Sequence, residues 1–297
     1  MTVQLTAAVD LTPKLQPASG DTLSVSNLRV VFRTRGGDVE ALKGVSFEIA
    51  PGERLGLVGE SGSGKSVGCL SMMGLLDKNA KIAGGHVRFG DRLLLQAGAP
   101  APRMPPEELA MIFQYPRTAL HPIRSVGAQL MDVLATAEPA PKARLRERAL
   151  QLLDEVRISR GPERMKAYPF ELSGGQCQRI LIAMALARKP KVLIADEPTT
   201  GLDVVTQRAI MELIGQARAA HGMGCVLVTH DLALAGEFCD RIVVMKQGEV
   251  VEAGTTDEIF ETPRHPYTKG LLAATPALTH SLDALRAALA QTEIADD

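Results

Sequence analysis

Several features that mark common protein classes are scarce in this sequence. Its 297 residues include no tryptophan, and aromatic residues make up only 3%. Sugar-binding surfaces and single-strand nucleic-acid platforms depend on aromatic stacking, so this scarcity argues mildly against both. Charge is balanced, with 33 Lys and Arg against 34 Asp and Glu. No global basic excess points to nucleic acid, and no acidic excess points to a disordered chain.

The cysteines do not form a recognisable ligand set. The chain has four, Cys69, Cys177, Cys225 and Cys239, and none are spaced as C-x-x-C. The sequence therefore gives no case for zinc or an iron–sulfur cluster. We expect reduced, mostly buried thiols, as in a cytosolic protein.

Long apolar runs are also missing. No stretch approaches the roughly 20 apolar residues of a membrane span, and residues 1–20 lack the basic start and apolar core of a secretory signal. We expect residues 1–20 to be a flexible leader. The protein is predicted to be soluble, or peripheral to a membrane through its partners.

Strand and helix patterns alternate along the rest of the chain. A helix is predicted at residues 66–76. A second helix is predicted at 143–158, within a mostly helical stretch from about Gln114 to Ala187. A turn is expected at 33–38. Strands are predicted at residues 23–32, 39–49, 54–59, 191–196 and 225–231, with a hairpin at 241–254 that turns at Gln247-Gly248. This order predicts a parallel sheet wrapped by helices, with the helical insert as a separate lobe.

The first chemical motif is GESGSGKS, which follows a predicted strand and precedes a predicted helix. It fits G-x-x-x-x-G-K-[ST], in which glycines let backbone N–H groups close around phosphate oxygens at a helix N-terminus. Lys65 is expected to reach the terminal phosphates and Ser66 to bind Mg²⁺. A ligand-free strand–helix turn is the disfavoured alternative. The candidate nucleotide-binding residues are Gly59, Glu60, Ser61, Gly62, Ser63, Gly64, Lys65 and Ser66.

The second motif is KVLIADEP, at residues 191–198. Its strand delivers Asp196 to the carboxyl edge of the sheet, where open α/β sheets place ligands. Asp196 is predicted to hold Mg²⁺ through water, and Glu197 to orient and polarise the attacking water, because phosphoryl transfer depends on positioning and charge stabilisation. A solvent-facing acidic pair is the alternative, and the nearby phosphate loop disfavours it.

The third motif is ELSGGQCQR, at residues 171–179. A Ser-Gly-Gly turn that opens a helix can bind phosphate. On the turn alone, simple helix capping by Ser173 remains an open alternative. The candidates for nucleotide contact are Ser173, Gly174, Gly175 and Gln176.

Together the three motifs resemble those of the ATP-binding cassette (ABC) ATPases, over about residues 23–275. The resemblance implies an α/β fold: a P-loop NTPase core with a mixed, largely parallel sheet, an antiparallel β subdomain and an α-helical subdomain. The ATPase domain would span 21–256, with the helical subdomain at about 115–188, and a C-terminal tail would span 257–297. The implied activity is ATP hydrolysis with ATP and Mg²⁺.

The resemblance also implies roles for four further residues. Gln114 matches the glutamine that touches Mg²⁺ and the attacking water, and His230 matches the histidine that contacts the γ-phosphate. Asp203 matches an aspartate that crosses a dimer interface, and Phe32 lies where an aromatic ring stacks on adenine. The implied catalytic set is Glu197, His230 and Gln114, and the implied metal set is Ser66, Gln114 and Asp196. Without the family context, Gln114 and His230 would be ordinary surface or cap residues and Phe32 a core residue.

The family works as a head-to-tail dimer, in which Ser173, Gly174 and Gly175 of one subunit cover the ATP held by Lys65 and Ser66 of the other. The implied partners are a second ABC ATPase, for which we favour a heterodimer, two membrane permease subunits and, indirectly, a solute-binding protein outside the membrane. Nucleic acid is not an expected partner. The implied location is the cytoplasmic face of the bacterial inner membrane, where the chain is peripheral.

The segment TPRHPYTKGLLAATP, residues 262–276, resembles the C-terminal signature of ABC importers for dipeptides, oligopeptides and nickel. A plain amphipathic tail after a turn is the alternative. The stretch after Gln114 departs from the common form at Tyr115, Arg117, Ala119 and His121, which puts the transported solute in doubt more than the ATPase chemistry. An exporter ATPase and a soluble ABC ATPase of DNA repair or translation are the competing functions.

Two smaller departures concern the ATPase motifs. Cys177 stands where this branch often has Arg, but it leaves the glycine turn intact, so we expect activity to survive. Gly201 replaces a common Ala with little expected effect. Because no cysteine follows Cys239, we expect no iron–sulfur cluster near the C-terminus.

Overall fold

The structure is a computed structural model and describes residues 21–99 and 107–275. The predicted leader and the last part of the predicted tail, residues 276–297, lie outside the described residues. Within them, no helix combines the length and apolarity needed to cross a membrane.

Ten strands of the described chain form two sheets. A four-stranded antiparallel sheet has the order β2-β1-β4-β5, and a six-stranded sheet has the order β10-β9-β3-β8-β7-β6. The second sheet is parallel except for the β9–β10 hairpin. The strands are β1 Leu23–Thr34, β2 Gly37–Ile49, β3 Arg54–Val58, β4 Ala80–Phe89, β5 Arg92–Gln96, β6 Leu109–Ile112, β7 Val192–Asp196, β8 Gly224–Thr229, β9 Arg241–Lys246 and β10 Glu249–Thr255.

Five of the described helices lie between β6 and β7 and form a lobe of their own. The helices are α1 Lys65–Met72, α2 Pro116–Ala119, α3 Val126–Ala137, α4 Lys142–Glu155, α5 Gly161–Arg164, α6 Gly174–Ala187, α7 Val204–His221, α8 Leu232–Phe238, α9 Thr256–Glu261 and α10 Pro266–Ala273, with a 3-10 turn at Pro169–Glu171. The predicted fold class, a mixed sheet with an antiparallel β subdomain and a helical subdomain, is confirmed.

The largely parallel sheet separates two cores. Cys225 and Leu227 of β8 face the core shared with the helical lobe, and Val226 and Val228 face the core shared with the antiparallel sheet. All four side chains are fully buried. This two-sided burial explains why the parallel strands read as continuous apolar runs rather than alternating ones.

Three strands were not predicted, β4, β5 and β6. The β4 sequence AKIAGGHVRF has two consecutive glycines and no clear alternation, yet it pairs with β1 along its length. A Cβ at Gly85 would lie 2.3 Å from the Asn27 carbonyl oxygen, so this close pairing with an irregular part of β1 requires glycine. Strand β6 has only four residues, which is too short for a periodic signal.

Several predicted boundaries were wrong: the helix predicted at 143–158 ends at Glu155, and the strand predicted at 225–231 ends at Thr229. The first hairpin continues to the Thr34–Gly37 pair, so its turn is shorter than the predicted 33–38. The helix predicted at 66–76 ends at Met72, because Gly74 adopts a left-handed conformation and the Leu75 N–H donates back to Leu70 O.

Candidate nucleotide-binding site

The carboxyl ends of three neighbouring strands bring the predicted site together. Strand β3 leads into residues 59–66, which we call the phosphate loop; β7 ends at Asp196, and β8 leads to His230. Because β3, β8 and β7 are adjacent and parallel, their ends meet at one edge of the sheet.

The phosphate loop is held closely by its surroundings. A Cβ at Gly59 would lie 2.2 Å from Met245 O, so only glycine fits there. Gly64, at the start of α1, has a φ of 102°. No side chain of the described residues caps the first turn of α1, which leaves its N–H groups facing the loop for an anionic ligand.

The Lys65 side chain folds back into its own loop. Its Nζ donates to Gly59 O at 2.6 Å and to Glu60 O at 2.9 Å. Burial lowers the pKa of Lys65, while the nearby carboxylates of Glu197 and Asp196 oppose this shift. The ammonium group is thus held at the phosphate loop by carbonyl oxygens that a phosphate can replace with stronger, charge-assisted contacts.

Ser66 and Asp196 form a pair of oxygen ligands. Ser66 Oγ donates to Asp196 Oδ1 at 3.2 Å, and Asp196 is only 5% exposed. Burial raises the pKa of Asp196, and the Ser66 hydrogen bond opposes that shift. Hydroxyl and carboxylate oxygens suit Mg²⁺, which takes its other ligands from phosphates and water. Such a site needs no protein cage, and among the described residues no group of three or more His, Cys, Asp or Glu side chains is placed to hold a metal.

Glu197 lies at the centre of a hydrogen-bonded group. Gln114 Nε2 donates to its Oε2 at 2.6 Å and Thr200 Oγ1 to the same atom at 2.9 Å, while His230 Nδ1 lies 3.3 Å from its Oε1. The Glu197 backbone has a φ of 45°, which is unusual for a residue other than glycine and is typical of functional sites. Two of the predicted catalytic residues, Gln114 and His230, therefore both contact the third, Glu197.

The residues of the LSGGQ motif form a different kind of helix start, which we call the signature turn (residues 173–176). Ser173 Oγ accepts from Gln176 N at 3.2 Å, and Gln176 Oε1 accepts from Ser173 N at 3.1 Å. This is a capping box at the start of α6, so the capping alternative describes the single chain correctly. A Cβ at Gly174 would lie 3.5 Å from Leu202, in ordinary contact, whereas one at Gly175 would lie 2.8 Å from the Thr206 side chain, too close without a shift. The described contacts of the signature turn are thus with its own lobe and the start of α7, away from the phosphate loop.

Asp203 and Phe32 each have a structural role in the single chain, and this role is compatible with the one predicted for them. Asp203 caps α7 by accepting from the N–H and the hydroxyl of Thr206, and these hydrogen bonds lower its pKa. Phe32 is half-buried and packs at the edge of the core between the two sheets, which leaves part of its ring exposed.

Sequence reasoning missed two residues at the site. Thr200 holds Glu197, and its position three residues later in a turn was the signal that could have found it. Tyr267, from α10, accepts a hydrogen bond from Glu60 N in the phosphate loop. Its partner is 207 residues away, so no spacing in the sequence connects the two.

Family models match two parts of the chain. The model described as "ABC transporter" matches residues 42–200. The model described as "Oligopeptide/dipeptide transporter, C-terminal region" matches residues 251–296. The first covers the phosphate loop, the signature turn and Glu197, and the second covers the segment that carries Tyr267.

Curated relatives align over most of their own length. A putative peptide import ATP-binding protein of Brucella abortus (strain 2308) is 48% identical over 264 residues, which is 89% of this chain and 80% of the relative. The oligopeptide transport ATP-binding protein OppD of Escherichia coli (strain K12) is 42% identical over 278 residues, 94% of this chain and 82% of the relative.

Solved structures share the fold. An ATP-binding cassette called MJ0796, in a dimeric post-hydrolysis state with ADP and Pi, has a TM-score of 0.66 and 29% identity and covers 79% of this chain and 98% of that one. The cbiO1 protein of Clostridium perfringens, part of the ABC transporter complex cbiONQ, has a TM-score of 0.67 and 29% identity, over 82% and 93% of the two chains. On these likenesses and on the geometry of its site, the chain belongs to the ATP-binding subunits of the ABC transporter family, in the branch that carries the oligopeptide/dipeptide C-terminal region.

Proposed function

We propose that this chain hydrolyses Mg²⁺-ATP in a head-to-tail dimer and so powers the import of peptides, nickel or a similar small solute. The observation that carries the proposal is the contact of Glu197 with Gln114, Thr200 and His230, beside the buried Ser66–Asp196 pair and Lys65. A carboxylate fixed in this way is suited to orient water for phosphoryl transfer.

In the proposed reaction the phosphate loop binds the phosphates of ATP, and Lys65 exchanges its carbonyl partners for phosphate oxygens. Ser66, Asp196 and Gln114 would hold Mg²⁺, which supplies charge neutralisation on the phosphates. Glu197 orients and polarises the attacking water, and His230 contacts the γ-phosphate. Phe32 offers the exposed part of its ring to adenine.

The second half of each site comes from a partner subunit. The signature turn of one chain contacts its own lobe and α7 rather than its own phosphate loop. We propose that Ser173, Gly174, Gly175 and Gln176 cover the γ-phosphate held by the partner, with Asp203 at the interface. ATP then favours the closed dimer and hydrolysis favours the open one, a shift between two states.

The other partners are proposed from the peptide-importer branch of the family. We favour a heterodimer with a second ABC ATPase, two membrane permease subunits and a solute-binding protein that acts indirectly. Large apolar side chains near Gln114 support permease docking: Tyr115 is 61% exposed and Ile123 is 79% exposed. The proposed location is the cytoplasmic face of the inner membrane. Relatives described as peptide import and oligopeptide transport proteins favour an importer over an exporter or a DNA-repair ATPase.

The test is co-purification followed by reconstitution. The chain, expressed with candidate permeases and a second ATPase, is expected to form a membrane complex that takes up peptide into proteoliposomes only with Mg²⁺-ATP. A matched complex carrying Glu197→Gln should assemble but not transport. ATP turnover that nucleic acid stimulates, without any permease association, would contradict the transporter role.

A further inference from the structure

The HPYTKGLL segment of the tail has no part in the chemistry described so far, yet it touches the phosphate loop. Helix α10 begins at Pro266, and the hydroxyl oxygen of Tyr267 accepts a hydrogen bond from Glu60 N at 3.1 Å. Glu60 is the second residue of the loop. The tail therefore reaches the part of the molecule that binds ATP.

The tyrosine is held in place from several sides. Glu252 of β10 is 6% exposed, and its carboxylate accepts from Arg264 N at 2.7 Å and from His265 N at 3.1 Å. His265 Nδ1 in turn accepts from Tyr267 N at 3.1 Å. Lys246 Nζ lies 4.7 Å from the centroid of the Tyr267 ring, within cation–π range. These contacts fix the ring over the β9–β10 hairpin.

Both polar backbone groups of Glu60 are then engaged. Its N–H donates to Tyr267, while its carbonyl oxygen accepts from Lys65 Nζ at 2.9 Å and from Ser63 N at 3.2 Å. When Lys65 turns to a phosphate, the carbonyl loses one of these donors. The hydrogen bond that Glu60 N donates to Tyr267 does not involve Lys65, and Tyr267 is anchored outside the loop.

We propose that Tyr267 is a positioning residue for the phosphate loop: its hydroxyl holds the Glu60 peptide in the conformation that binds ATP. The tail segment is thus a built-in support of the nucleotide site. This inference rests on the proposed use of the loop for ATP and extends it to the C-terminal region.

The test compares the full-length protein with Tyr267→Phe, which removes the hydroxyl and keeps the ring over Lys246. The dissociation constant for ATP, by calorimetry, and the KM for ATP should both rise about 2- to 10-fold, the fold-change of one net hydrogen bond. The kcat should change less than the KM, and the unfolding midpoint without nucleotide should stay close to that of wild type.

Thr262→Val is the matched control. It removes a hydroxyl from the same tail whose bond goes to Glu258 O rather than to the loop, so ATP binding should not change. If Tyr267→Phe binds ATP as wild type does, the inference is wrong, even if Tyr267→Ala binds poorly, since that result would show packing alone. If wild type binds ATP through the tyrosine but supports no transport, the proposed function fails and this inference stands.

Discussion

The phosphate loop and the signature turn are both glycine-containing segments that open a helix, but they are held in opposite ways. The loop is tied to the protein core: Gly248 N donates to Ser63 O at 3.0 Å, and Gly59 has no room for a Cβ. The signature turn satisfies its own helix start through Ser173 and Gln176. A Cβ at Gly174 would meet Leu202 only at 3.5 Å, and the close neighbour of Gly175 is the Thr206 side chain rather than backbone.

This difference indicates a division of labour. The phosphate loop is a preformed site with uncapped N–H groups, so a single chain can bind nucleotide through it. The signature turn is a helix start on the helical lobe that is already capped within the single chain, and we propose that it meets the ligand held by another subunit. In the proposed head-to-tail dimer, one chain binds the nucleotide through its phosphate loop, and hydrolysis uses the signature turn of the second chain as well.

The largest expected effect is loss of turnover in Glu197→Gln. Losing the group that orients water should lower kcat by about 10²- to 10⁴-fold, while ATP binding is kept. The uncleaved ATP should hold the phosphate loop and the partner's signature turn together. Gel filtration with Mg²⁺-ATP should then show a stable dimer. Turnover at the wild-type rate would show that Glu197 does not have this role.

The next effect is weaker nucleotide binding in Lys65→Ala. The variant loses charge-assisted contacts to phosphate, each worth about 1.5–3 kcal/mol, so the Kd for ATP should rise on the order of 10- to 150-fold. Fluorescent nucleotide titration of the isolated chain measures this directly. A Kd for ATP equal to that of wild type would show that Lys65 does not contact the phosphates.

A matched pair of glycine substitutions tests the difference in packing. Gly59→Ala places a Cβ against Met245 O and should destabilise the folded chain by about 1–3 kcal/mol, with weaker ATP binding. Gly174→Ala meets only ordinary contact with Leu202 and should leave the stability and nucleotide binding of the single chain unchanged. Equal losses of stability in the two variants would show that the phosphate loop is not packed more tightly than Gly174 of the signature turn. Urea unfolding of both proteins measures the difference.

The smallest expected effect is the loss of stability on substitution of Ser173, and two substitutions there distinguish a capping role from a role in ATP hydrolysis. Ser173→Ala removes the cap of α6 and should cost about 1 kcal/mol of unfolding free energy. Ser173→Asp keeps a good cap, so stability should be retained, but its negative charge would face the partner's γ-phosphate and turnover should fall. If Ser173→Asp hydrolyses ATP normally in the assembled complex, the turn is a cap and nothing more. Stability and ATPase assays on the same preparations decide this.

Local motifs were predictable because their chemistry lies in contiguous residues. The phosphate loop was predicted from a strand, a glycine-rich turn and a helix that follow one another in the sequence. Asp196 and the hairpin turn at Gln247-Gly248 were predicted from the strands next to them. Strands β4 and β6 escaped prediction because pairing with β1 and β7, rather than their own sequence, makes them strands. Thr200 and Tyr267 escaped because each acts through a hydrogen bond that only the folded chain brings about.

The sequence by itself determined the fold class and the family and predicted the groups proposed to bind ATP, since the motifs behind each of these lie in contiguous residues. Tertiary structure alone decided which groups meet. Glu197 touches Gln114 and His230 because β6, β7 and β8 lie side by side in the sheet, and Tyr267 touches Glu60 because helix α10 is anchored on β10. Contacts of this kind depend on strand order and packing, and no local pattern of residues specifies them.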